Sequence, residues 1–132
     1  MPNINDIAGN SPPLLGCQSN SAALSSTTAS AGQLSGSAVC VMFNTGATPG
    51  TYTTRTATQM IIDSNLQVGQ TWLVLLGNNQ ATGTLTLAGG TGVTISGTTT
   101  VAANVGRLYV CTVATATTIT MTGVALSWTI AA

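Results

Sequence analysis

Four charged side chains are available for chemistry in this chain, Asp6, Arg55, Asp63 and Arg107, and there is no Lys, Glu or His. Without histidine the commonest general base is missing. The many Ser and Thr hydroxyls lack the activating base that a nucleophile needs within hydrogen-bond reach. A glycosidase sets two carboxyl groups on either side of one bond, but Asp6 falls in a segment that reads as an extended arm and Asp63 reads as a helix-end residue. The run Gly89-Gly90-Thr91-Gly92 has the glycines of a phosphate loop. No Lys follows it and no helix starts there, so it reads as a β-turn. Cys17, Cys40 and Cys111 are odd in number and contain no C-x-x-C pair, which suggests neither a zinc site nor a disulfide framework. Free buried thiols are expected. The inventory gives no catalytic residue, no cofactor and no metal site, and the expectation is a protein that is not an enzyme. Two arginines are too few for the phosphate contacts on which nucleic-acid affinity depends. No apolar run reaches the roughly 18 residues of a membrane span, so neither nucleic acid nor membrane is an expected partner. Arg107 opens a strand beside a turn, and its expected ion-pair partner is Asp63 or a neighbouring subunit.

Charged residues make up 3% of the chain, against about 25% in an ordinary domain. A free monomer normally relies on mixed surface charge and a net charge away from zero, whereas here the net charge is zero. A polar surface built from Thr, Ser, Asn and Gln hydrogen-bonds well and does not repel its own copies. That suits a symmetric assembly, and copies of the same chain are the expected partners, with a trimer favoured. The start of the chain, Met1-Pro2-Asn3-Ile4-Asn5, carries neither a basic segment nor an apolar h-region. The expectation is a product made in the cytoplasm and used there or in a particle assembled there.

The elements that must position these residues are short. At 132 residues the chain is one domain by length. Residues 1–36 read as an extended arm: Pro12-Pro13 blocks helix, and small polar residues surround scattered anchors, chiefly Ile4, Ile7, Leu14 and Leu15. Residues 37–132 read as the folded domain. Val39-Cys40-Val41-Met42-Phe43 is a strand closed by the turn Asn44-Thr45-Gly46, and a helix from about Ala57 to Ser64 has Thr56 as its cap. Thr71 to Leu76 is a continuous apolar strand, so cover on both faces is expected. Gly77-Asn78-Asn79-Gln80 reads as a turn. Alternating runs follow at Thr84–Leu87, Val93–Ile95, Thr100–Val101, Arg107–Val113, Thr118–Thr122 and Val124–Ile130. Such spacing predicts an all-β fold, an antiparallel β-sandwich or jelly-roll-like barrel with one short helix and an extended N-terminal arm. With no fixed repeat period in view, a solenoid is not expected. The expected core is Val41, Phe43, Trp72, Val74, Leu85, Leu87, Val110, Ile119, Met121 and Leu126.

One ordered set of strings stands out. Arg55-Thr56-Ala57-Thr58-Gln59-Met60-Ile61-Ile62 is followed by Asn65-Leu66-Gln67-Val68-Gly69-Gln70-Thr71-Trp72. Then come Thr84-Leu85-Thr86-Leu87-Ala88-Gly89-Gly90-Thr91-Gly92-Val93-Thr94-Ile95-Ser96-Gly97, Val101-Ala102-Ala103-Asn104 and Leu108-Tyr109-Val110. This order resembles a recurrent β-domain of tailed-bacteriophage virion proteins and covers roughly residues 37–130. The resemblance implies a place in the virion, on the capsid surface as a head decoration (cement) protein bound to the major capsid protein, or in a tail fibre, spike or receptor-binding module. Fibre modules usually sit in long chains, and one module plus an arm favours the decoration role. In that role the arm anchors Ile4, Ile7, Pro12, Pro13, Leu14 and Leu15 are expected to grip another chain. An alternative of another class is a Thr-rich ice- or carbohydrate-binding protein, for which Thr84/Thr86 and Thr118/Thr120/Thr122 form short ranks without a constant period.

Overall fold

The structure, a computed structural model, describes residues 21–129, and within them the side chains of all but residues 21 and 125–127. Ten strands and one helix follow in the order β1 (Ser21–Ala22), β2 (Thr27–Thr28), β3 (Val39–Asn44), β4 (Thr51–Thr53), α1 (Ala57–Asp63), β5 (Thr71–Asn78), β6 (Leu85–Ala88), β7 (Val93–Gly97), β8 (Thr100–Val101), β9 (Val105–Thr115) and β10 (Thr118–Thr129). They form a six-stranded sheet, β1-β3-β5-β9-β10-β7, and a four-stranded sheet, β2-β4-β6-β8.

Both sheets are mixed, which corrects the antiparallel expectation. Strands alternate between the two sheets from β1 to β9, so β1, β3 and β5 pair in parallel in one while β2, β4 and β6 pair in parallel in the other. Parallel neighbours need a long crossover, usually a helix. Here each crossover is made through a strand of the opposite sheet, so the first half of the chain winds as a coil. The windings are unequal: Ser21 lies opposite Phe43 and Val39 opposite Leu73, which is why no fixed period shows in the sequence. The second half closes with antiparallel pairs β5/β9 and β9/β10, and β7 adds in parallel beyond β10.

One buried cluster takes side chains from both sheets and the helix: Met42, Val74, Leu76, Cys111, Ile119 and Met121 from the larger, Tyr52, Leu85, Leu87 and Val101 from the smaller, and Ala57 and Met60 from α1. Each large member contributes about 1.5–3 kcal/mol by leaving water. Thr56 caps α1 as the sequence predicts; its hydroxyl accepts from the Gln59 amide and the Gln59 side chain accepts from the Thr56 amide, a reciprocal capping box.

Residues 21–36 belong to this fold, which moves the arm boundary from 36 back to no later than 20. They supply β1 and β2 and bury Leu24, Ala29 and Leu34. Sparse anchors suffice because the two-residue strands borrow their hydrogen bonds from β3 and β4. The arm anchors Ile4, Ile7, Pro12, Pro13, Leu14 and Leu15 lie outside the described residues.

Three expected core positions also move. In β3 the inward set is Cys40, Met42 and Asn44, so Val41 and Phe43 stand on the other face, half-buried, as does Val110 of β9. The expected cover on both faces of β5 resolves the same way: Trp72, Val74 and Leu76 are buried, Leu73 and Leu75 half-buried. Trp72, Val74, Leu85, Leu87, Ile119 and Met121 are in the core as expected, and Leu126 is among the side chains not described.

The thiols are not all free. Cys40 is disulfide-bonded and Cys111 is a free buried thiol; of the chain's three cysteines, that leaves Cys17, outside the described residues. In concentrated denaturant without reductant, a thiol titration is expected to count one group per chain, and three after reduction. A count of three without reductant contradicts the bond.

Candidate interaction surface

The titratable groups are few and held. Arg55 Nε lies 2.6 Å from Asp63 Oδ2, with both side chains partly buried. The pair lies along α1, from the residue before its cap to its last residue, and compensates charge without a well-directed hydrogen bond from that nitrogen. This corrects the expected use of Asp63 by Arg107: within the chain, Arg107 instead donates from Nε to the Thr100 carbonyl at 2.9 Å. Arg107 shares the inward side of β9 with Tyr109 and reaches β8 in the opposite sheet, whereas Arg55 is beside the helix that ends in Asp63. Burial pushes the Cys111 thiol and the Tyr109 phenol each up to about 12, with Arg107 pulling Tyr109 partly back, and it raises Tyr52 as well. A thiol so far from ionisation is a poor nucleophile. Among the described residues no cluster of Cys, Asp, Glu or His could hold a metal ion.

These shifts give the stability a one-sided pH dependence. All three groups lose protons more readily unfolded than folded. Their contribution is therefore complete below the unfolded values, near 9.0 for the thiol and 10.0 for the phenols, and declines above them. The expected result is a melting temperature that is flat from about pH 5 to 8, where no histidine titrates, followed by a steep fall. Above its unfolded value each group removes about 1.4 kcal/mol per pH unit until its folded value is reached. A melting temperature that holds to about pH 11 contradicts the burial of these groups.

On the outward face of the larger sheet, register places Val39, Leu73, Val110, Thr122 and Ser96 in one row across β3, β5, β9, β10 and β7. Val41, Leu75 and Leu108 form the next row toward the end of β3. On the other side, Thr71, Thr112, Thr120 and Thr94 line up across four strands. Neighbouring strands lie about 4.8 Å apart, so the face is a continuous patch, apolar over β3, β5 and β9 and hydroxyl-bearing over β10 and β7. It carries no charged residue in these rows. At its margin Trp128 pairs with Gly106, where a Cβ would collide with the indole; the ring lies on bare backbone, which holds it flat to the sheet. The sequence signal was the apolar run from Val39 to Phe43, which fills both parities, so its two faces could not be told apart before the inward partner of each strand was known.

Comparison with known protein families, with curated proteins and with solved structures finds no match to this chain.

Proposed function

We propose that this chain is a structural, non-catalytic component of a tailed-bacteriophage particle, a capsid decoration protein that assembles with copies of itself and clamps the head shell. The observation that carries the reading is the outward face of the larger sheet, an uncharged patch of Val41, Leu73, Leu75, Leu108 and Val110 continuous with a rank of hydroxyls. Apolar patches of this kind mark interaction sites, and a chain with net charge zero offers nothing to repel a second copy. The ordered strings from Arg55 to Val110 support a virion β-domain. The disulfide at Cys40 agrees with an oxidising location such as a virion surface. We read the two sheets around their shared core as a sandwich, and residues 1–20 as an arm whose apolar anchors, Ile4 and Ile7 foremost, reach a neighbouring chain by strand addition or pocket contacts.

Light scattering of the purified chain is expected to show a closed oligomer, a trimer by preference, and co-sedimentation is expected to show binding to decoration-free heads. Leu75→Lys, in the middle of the patch, is expected to release folded monomers. Deletion of residues 1–20 is expected to leave β circular dichroism intact while weakening head binding. A stable monomer at micromolar concentration with no affinity for heads overturns the reading.

The row Thr71, Thr112, Thr120 and Thr94 favours a second reading, a hydroxyl array for ice or carbohydrate. Thermal hysteresis, or retention on a glycan array that Thr120→Leu abolishes, is its signature.

A further inference from the structure

The row of the outward face where β5 ends and β9 begins is built unlike the others. Gly77 of β5 lies opposite Gly106 of β9, and Gly106 lies opposite Trp128 of β10. Glycine inside a strand gives up side-chain packing and often marks a place that another group approaches closely. Here that group is the indole: a Cβ at Gly106 would fall among Cε2, Cζ2 and Nε1 of the Trp128 ring. One face of the ring is therefore seated on the sheet, and the other turns away from it. Trp128 is half-buried, not enclosed like Trp72. Its N–H has no acceptor among the described residues, whereas that of Trp72 donates to the Leu34 carbonyl. Two asparagines border this seat. Asn78 lies opposite Val105, so the next residues out are Asn79 and Asn104, two positions beyond the glycine pair and about 7 Å along the strands. The Asn104 amide donates to the carbonyls of Asn78 and Gln80, which brackets Asn79 and sets the two residues side by side. Asn79 is exposed, and neither carboxamide has a hydrogen-bond partner among the described residues.

We infer that this end of the outward face is a carbohydrate subsite: the Trp128 ring stacks on one neutral hexopyranose, and the carboxamides of Asn79 and Asn104 bind its hydroxyls. The groups present select that class. A pyranose has an apolar face of C–H groups and a rim of hydroxyls. The indole supplies a flat apolar surface with one donor at its edge. Each carboxamide supplies both donors and an acceptor, the complement of a hydroxyl that gives one hydrogen bond and takes others. Arg107 stands on the inward side of β9, so no cation in this row meets a phosphate or a uronate, and the match is a neutral sugar. A ring already held by backbone on one side loses little freedom when a ligand covers the other. Cover for a glycine accounts for the ring's position but not for two unpaired carboxamides beside it. The turn at Asn104, with φ 57°, accounts for an asparagine backbone there and leaves the side chain to a ligand. This subsite is separate from the threonine row: Thr71 lies six residues from Gly77 on β5, about 20 Å away, so one sugar ring cannot touch both.

The test is a nuclear magnetic resonance titration of the isotope-labelled full chain, in whatever oligomer it forms. The probes are methyl β-galactopyranoside, methyl β-glucopyranoside and, as a control, sorbitol. The chain has two tryptophans and so two indole N–H signals, which Trp128→Phe assigns. At least one glycoside is expected to move the Trp128 signal and leave that of Trp72 in place, with a dissociation constant of roughly 1–10 mM, ordinary for a ligand of one ring. Sorbitol, which has the hydroxyls without the ring face, is expected to move neither. Asn79→Ala, at an exposed position, is expected to keep native β circular dichroism and weaken binding about fivefold, as loss of one net hydrogen bond allows. Thr120→Leu is expected to leave binding unchanged. A Trp128 signal that neither glycoside moves overturns the subsite, and so does a shift that sorbitol reproduces. Binding that Thr120→Leu abolishes and Asn79→Ala spares overturns it as well, because the sugar then lies on the threonine row. None of these outcomes depends on phage heads, so the virion reading stands or falls separately.

Discussion

Asn44→Ala is expected to lower the unfolding free energy by about 3–6 kcal/mol, a large share of the roughly 5–15 kcal/mol that a domain possesses. Asn44 ends β3 and Asn78 ends β5, opposite each other in parallel register and fully buried. Asn44 Nδ2 donates to Asn78 Oδ1 at 2.9 Å and to the Gly46 carbonyl, while Asn44 Oδ1 accepts from the amides of Leu24 at 2.8 Å and Gly46 at 3.0 Å. Asn78 Nδ2 continues to the carbonyls of Gly83 and Val101. The two side chains thus tie the ends of two windings to the loops that leave them and to β8 in the other sheet. Alanine at 44 orphans the amides of Leu24 and Gly46 and the Asn78 oxygen, each worth about 1–3 kcal/mol when buried. Asn44→Asp, close in shape, is expected to be no better, because it sets an oxygen against Asn78 Oδ1 and the Gly46 carbonyl and buries a charge. Urea titrations are expected to show a large fall in midpoint at unchanged slope. A midpoint within about 0.3 M of wild type shows that water replaces the network at little cost.

That network marks the line between what was legible in the sequence and what was not. Local signals read correctly: Thr56 announces the helix start, and the runs at Leu85–Leu87, Val93–Ile95 and Thr118–Thr122 are strands. Asn44 and Asn78 read as turn residues, because asparagine after an apolar run is ordinarily a surface breaker. Their burial depends on their facing each other across β3 and β5, a relation between residues 34 positions apart. Pairing direction failed for the same reason, since short alternating strands look alike in parallel and antiparallel sheets until their connections are known. The face of β3 followed from pairing too: apolar residues occupy both parities from Val39 to Phe43, so alternation alone could not say that Cys40 and Met42 point inward. Ion-pair choice was decided by proximity, with Arg55 beside the helix that carries Asp63 and Arg107 drawn across the sheets to Thr100. The apolar patch, the main candidate surface, became visible only when register joined three half-buried runs into one face.

Trp72→Ala is expected to cost about 3–5 kcal/mol through lost burial and the space left behind. Trp72 stands on the inward side of β5, 4% exposed, with Cys111 of β9 opposite it in register. Its indole N–H bonds the Leu34 carbonyl, so truncation also leaves that carbonyl without its donor, about 1 kcal/mol more. One effect works the other way: Trp72 lines the cleft at the head of β3 and β5, and a void that opens there can admit water to the freed carbonyl. Trp72→Phe separates the contributions, keeping most of the ring while losing the hydrogen bond, and is expected to cost about 1–2 kcal/mol. Trp128→Ala is the comparison on the other face, where the half-buried ring lies on Gly106, and is also expected to cost about 1–2 kcal/mol because less area leaves water. At roughly 4 °C per kcal/mol for a domain of this size, thermal melts should fall by about 12–20 °C for Trp72→Ala. A fall no larger than that of Trp128→Ala shows that β5 does not centre the core and that the inward side of the larger sheet has been assigned to the wrong residues.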